Sequence, residues 1–128
     1  MRVIIAAAGT GGHINPGIAI ANEIKMNEPD SEIVFIGTTR GIENELVPKA
    51  NYKLKTINAF GIPRKISLEN MKKFYRTIKS VSEAEKIIKE FKPDVVIGTG
   101  GYITLAVGRA AIKQNVSLVI HESNAFPG

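Results

Sequence analysis

The chain has 128 residues, with 44% apolar and 23% charged content, which suits one globular domain around a single core. Cysteine is absent, which excludes a disulfide framework and a thiolate metal site. No stretch approaches the roughly 20 apolar residues of a membrane-spanning helix, and the net charge of +5 is gathered in one block: Arg64, Lys65, Lys72, Lys73, Arg76 and Lys79 against the single Glu69.

In chain order, Val3–Ala8 reads as a strand buried on both faces. It is too short for a secretory signal and is ended by Gly9–Gly12. Pro16 is expected in the first turn of a helix that continues through Ile18, Ile20, Ala21 and Ile24. Glu32–Gly37 is a second strand, Ile42–Lys49 a short helix and Tyr52–Ile57 a third strand. Asn58–Ser67, with Gly61 and Pro63, is a loop, and Leu68 to about Phe91 has helical spacing closed by Pro93. Asp94–Gly98, a helix from about Ile103 to Gln114, and Ser117–His121 complete the series. Strands alternating with helices predict an α/β, Rossmann-like, doubly wound parallel sheet in the order 3-2-1-4-5.

In such a sheet, ligands bind beyond the carboxyl ends of the strands where the strand order reverses. Here that point lies between the first and fourth strands. Their following loops are "GTGGHINPG" (Gly9–Gly17) and "GTGGYI" (Gly98–Ile103). Both are glycine-rich and both lead into helices, a pairing that suits a diphosphate or similar anion. A nicotinamide dinucleotide is excluded, because the third fingerprint glycine is replaced by Ile14 and "FIGTTR" carries no acid at the tip of the second strand. His13 either fills the turn or acts as a general base, and a helix amino terminus suits the neutral imidazole that a base needs. Glu122 and Asn124 follow the fifth strand and are either ordinary loop residues or site residues; His121 reads as structural. The only aspartates, Asp30 and Asp94, lack metal-ligand spacing, and Asp94 stands at the wrong end of the sheet, so no metal is expected.

The long helix has an apolar stripe through Met71, Phe74, Ile78, Val81 and Ile88, with Lys72, Lys73, Arg76 and Lys79 on much of the opposite side. Either this is a solvated surface helix or it lies against anionic lipid. Nucleic acid is the weaker alternative, since aromatics to stack bases are few and no binding motif is present.

"GTGGHINPG" resembles the amino-terminal loop of two-domain (GT-B) glycosyltransferases. Together with "KPDVVIGTGGY" (Lys92–Tyr102), "VIHESNAFPG" (Val119–Gly128) and "IGTTRGIENELVPK" (Ile36–Lys49), it resembles the MurG family of peptidoglycan N-acetylglucosaminyltransferases. The resemblance covers residues 1–128 and only the amino-terminal, acceptor-binding half of that family. The carboxy-terminal UDP-N-acetylglucosamine-binding domain lies outside it. It implies an inverting transfer of N-acetylglucosamine from UDP to the C4 hydroxyl of lipid I, giving lipid II at the cytoplasmic face of the bacterial plasma membrane, with no metal cofactor. It further implies His13 as base with Glu122 and Tyr102 nearby, and Thr10, Gly11, Gly12 and Asn124 reaching the donor. The loops Gly9–Gly12 and Gly98–Gly101, with Gly100 and Gly101 among them, would face the acceptor diphosphate. Lys72, Lys73, Phe74, Arg76 and Lys79 fall in a membrane-docking patch. The sequence departs from the family at Ser123, usually Gln, and at Thr104-Leu105, usually a small glycine- and proline-rich turn. Two other readings stand beside this one: a non-catalytic membrane-recruiting subunit of a split glycosyltransferase, and a different GT-B enzyme acting on a small aglycone.

Overall fold

The computed structural model describes residues 1–58 and 68–121, and of residues 68–78 and Tyr102 the backbone alone. The order is β1 (Arg2–Ala6), α1 (Gly11–Asn27), β2 (Glu32–Thr38), α2 (Glu43–Lys49), β3 (Lys53–Ile57), α3 (Leu68–Phe91), β4 (Val95–Gly98), α4 (Tyr102–Lys113) and β5 (Ser117–Ile120). All four strand pairings are parallel, in the order β3-β2-β1-β4-β5. The predicted Rossmann-like topology is the observed one.

β1 is apolar throughout because it is buried on both faces, as a central parallel strand must be. Val3, Ile5 and Ala7 point into one core with Ile14, Ala21, Phe35 and Val47, beneath α1 and α2. Ile4, Ala6 and Ala8 point into the other, with Ile88, Ile103 and Val107 beneath α3 and α4. Register places Ala6 beside Ile36 on one side and Gly98 on the other, so the loops after β1 and β4 leave the sheet at the same level. At the opposite end, Arg2 donates through its backbone N–H to Asp94 Oδ2 at 2.8 Å and through Nε to the Phe91 carbonyl. Its guanidinium lies 4.2 Å from the Phe91 ring centroid and pairs with Glu32. Asp94 therefore serves the amino end of the sheet, away from the glycine loops.

One boundary differs from expectation in an informative way. α1 begins at Gly11, more than a turn before Pro16, which lies inside the helix. Proline at this point withholds the N–H that the Gly12 carbonyl would otherwise accept. Gly12 is exposed, so water can serve that carbonyl. α4 starts one residue earlier than predicted, at Tyr102. β5 is the least buried strand, with Val119 and Ile120 more than half exposed. The predicted loop 58–67 lies outside the described residues beyond Asn58. The Asn58 N–H donates to Glu83 Oε2 at 3.0 Å, and its carbonyl accepts from Ser80, so both groups tie the end of β3 to α3.

Candidate functional site

The β1–α1 and β4–α4 loops meet at the point where strand order reverses, and His13 is what joins them. It stands in the first turn of α1, which Thr10 opens in extended backbone without a side-chain cap bond. The Thr10 carbonyl takes the N–H groups of His13 and Ile14 at 3.0 and 3.1 Å. Gly11 and Gly12, the first two helical residues, have N–H groups with no intrahelical partner, as at every helix start. The same holds for Tyr102 and Ile103 at the start of α4. Two positive helix ends thus converge on one place, an arrangement that favours an anion.

His13 is held at three points, two on its ring and one on its backbone. Its Nδ1 lies 3.1 Å from the Ala8 carbonyl. A carbonyl only accepts, so Nδ1 carries the hydrogen in the neutral ring and the lone pair is left on Nε2. The ring lies against Gly100, where an added Cβ would come within 2.5 Å of His13 Cδ2 and 2.9 Å of Nε2. The backbone is tied as well, since Thr99, nearly fully buried, donates from Oγ1 to the His13 carbonyl at 2.6 Å.

The loop glycines divide by what accounts for them. Gly98 is packed against Thr104, whose Cγ2 would lie 2.4 Å from an added Cβ. Gly100 (φ +122) and Gly101 (φ +85) hold backbone conformations that side chains rarely adopt, and both also border His13. The Thr104 hydroxyl closes this loop by accepting the Gly100 N–H at 3.1 Å and donating to the Gly100 carbonyl at 3.2 Å. Thr104, one of the departures from the family pattern, is thereby a structural part of the loop. Gly12 is different. A Cβ there would meet only Thr10 Oγ1, at an ordinary 3.6 Å. Nothing within the described chain demands glycine at this exposed position. Its backbone is thereby left open to close approach.

Of the expected site residues, Thr10, Gly11, Gly12, His13, Gly100 and Gly101 are brought together. The side chain of Tyr102 is outside the described residues, although its backbone opens α4. Glu122, Ser123 and Asn124 lie outside them entirely, as do the side chains of Lys72, Lys73, Phe74 and Arg76; Lys79 is exposed. The His121 side chain is exposed just past β5, while its backbone N–H bonds to the Gly98 carbonyl at 2.8 Å. Among the described residues no group of three or more His, Asp or Glu could hold a metal ion, and no helix is long and apolar enough to cross a membrane.

Sequence reasoning missed two site-building residues. Thr99 was hidden by its place in a glycine motif. The other is Glu43: a carboxylate does sit at the tip of β2, contributed from α2 and fully buried. Its signal was Gly37 and Gly41 on either side of the turn, both of which border its side chain.

Residues 3–128 match the glycosyltransferase family 28 N-terminal domain. Over all 128 residues the chain is 48% identical to the UDP-N-acetylglucosamine–N-acetylmuramyl-(pentapeptide) pyrophosphoryl-undecaprenol N-acetylglucosamine transferase of Clostridioides difficile, covering 31% of that protein. It is 53% identical to the protein of the same name from Alkaliphilus oremlandii, covering 35%. The crystal structure of Acinetobacter baumannii MurG superposes with a TM-score of 0.84 at 30% identity, over 99% of this chain and 36% of that one. The chain thus spans about a third of the length of the curated relatives it matches. It belongs to glycosyltransferase family 28, and what it contains of that family is the N-terminal domain.

Proposed function

We propose that this chain is the acceptor-binding half of an inverting transferase that moves N-acetylglucosamine from UDP to the C4 hydroxyl of lipid I, giving lipid II. The observation that carries this reading is the orientation of His13. Its Nδ1 is engaged by the Ala8 carbonyl, and Nε2 is available beside two helix amino termini. In this reading Nε2 removes the proton of the acceptor hydroxyl as the sugar's C1–O bond to UDP breaks. The acceptor diphosphate lies against the N–H groups of Gly11 and Gly12 and the start of α4 at Gly101 and Tyr102. Thr10 contributes a hydroxyl that its own helix does not use. Glu122 and Asn124 complete the acceptor and donor sides, and a donor-binding domain supplies UDP-N-acetylglucosamine. Helix ends and side chains balance the leaving charge, so the reading calls for no metal. The basic block around Lys72, Lys73, Phe74, Arg76 and Lys79 docks the protein peripherally on the anionic cytoplasmic face of the membrane. The names of the relatives support the substrates.

Co-sedimentation of the chain with vesicles of neutral or anionic lipid, with and without a lipid I analogue, tests the reading. Binding should need anionic lipid and strengthen with the analogue. Absence of binding to either would overturn both the acceptor and the membrane assignments. In the two-domain context, His13→Ala should lower kcat by about 10²–10⁴, the usual contribution of a general base, and unchanged turnover would remove His13 from the chemistry.

A further inference from the structure

Glu43 is a fully buried carboxylate that the proposed chemistry does not use. Its side chain leaves the first turn of α2 and turns back toward the carboxyl ends of β1 and β2. Oε2 accepts the Thr38 N–H at 2.8 Å and the Thr38 hydroxyl at 3.0 Å. Oε1 accepts the Gly9 N–H at 3.5 Å. Each oxygen therefore receives a backbone N–H, which a carboxylate can serve on both sides and a carboxamide on only one. The surroundings are cut to this side chain: a Cβ on Gly41 would fall 1.6 Å from Oε1, and one on Gly37 2.7 Å from Cγ. The turn is further held by Asn44, whose Nδ2 donates to the carbonyls of Thr38 and Gly41 at 2.8 and 3.0 Å.

The Gly9 bond is the informative one. Gly9 has φ +97 and no atom within 4 Å of where a Cβ would stand, so packing at that point does not fix it, whereas its N–H is held by Glu43. It immediately precedes Thr10, Gly11 and Gly12, whose shape decides whether their donors converge. We propose that Glu43 is a positioning residue: it spans the β2–α2 and β1–α1 turns and holds the Gly9–Gly12 loop in its anion-binding form. Preorganising donors in this way raises affinity by removing the ordering cost from the binding step. The inference rests on the anion site proposed above and adds the residue that shapes it.

The test compares the full chain with its Glu43→Gln variant, by the NMR amide resonances of Gly9–Gly12 and by titration with inorganic pyrophosphate. The expected result is a shift of the Gly9 amide and its neighbours larger than any in β4, with a pyrophosphate Kd raised about threefold or more, the scale of the weaker hydrogen bonds. A merely structural role would lower the melting temperature while leaving the Kd of the folded protein unchanged, and that result would overturn the proposal. Should Glu43→Gln fail to fold, Thr38→Val removes one donor from Oε2. A Gly9 amide that does not respond to this change in another loop would overturn it equally. If the unaltered chain does not bind pyrophosphate, the anion site itself fails, and the Gly9 resonance still decides whether Glu43 holds the loop.

Discussion

Replacing Gly100 by Ala probes the seat of His13 directly. Two costs follow from the structure. At φ +122 an L side chain is strained, by about 1–3 kcal/mol. The new methyl would also lie 2.5 Å from His13 Cδ2, an overpacking that costs about 1–3 kcal/mol if the ring stays. The ring can instead swing away, exchanging that clash for loss of the Nδ1 bond to Ala8, worth about 0.5–1.5 kcal/mol. With the ring taking the cheaper course, the variant should be less stable by about 1.5–4.5 kcal/mol in urea unfolding, and the His13 ring resonances should move. A double-mutant cycle separates the two costs. In a His13→Ala background the steric part disappears, so Gly100→Ala should cost about 0.5–1.5 kcal/mol less there. Equal costs in both backgrounds, with unmoved His13 resonances, would refute the claim that Gly100 is glycine to make room for the imidazole.

Gly12→Ala should behave in the opposite sense: thermal stability unchanged or raised by up to about 1 kcal/mol, because alanine is the better helix former, with pyrophosphate affinity reduced at least about tenfold in calorimetric titration. Thr99→Val should cost about 1–2 kcal/mol in urea unfolding through loss of the bond to the His13 carbonyl, and Thr99→Ser should recover most of it. Burial raises the Tyr52 hydroxyl above its ordinary value, and the group donates to Asn22 Oδ1 at 2.6 Å. Its contribution to stability is present in full below pH ~10 and is lost as pH rises through the higher folded-state value, so Tyr52→Phe should flatten the alkaline limb of the unfolding midpoint against pH.

The crevice between β1 and β4 was legible because the apolar runs of those two strands are continuous and each leads into glycine, at Gly9 and Gly98. A strand buried on both faces leaves little ambiguity of period. The start of α1 was not legible, because Pro16 carries the usual mark of a first helical turn, whereas the exposed Gly12 carbonyl makes it tolerable farther in. In the site, His13 could be nominated from spacing, but not the roles of its neighbours. Gly98 and Gly100 look alike in "GTGGY"; one yields to the Thr104 methyl and the other to an imidazole from a distant part of the sequence. Glu43 was hidden for a different reason. An acid in the first turn of a short helix normally faces water and the helix dipole, and only the three-dimensional turn shows it directed inward.

The bridging of two loops by one histidine has a consequence for how the protein is made. Thr99 and Gly100, which secure His13, lie far along the chain, and β1 has no β4 to pair with until those residues exist. At about 5–20 residues per second of synthesis, His13 waits roughly 5–20 seconds for its neighbours. Once Glu32–Thr38 has been made, β1 can pair with β2, but the imidazole still lacks the contacts from Thr99 and Gly100. The nascent domain can thus pair its first two strands early, whereas the two cores and the Thr99 and Gly100 contacts to His13 are completed only once the fourth strand closes beside the first.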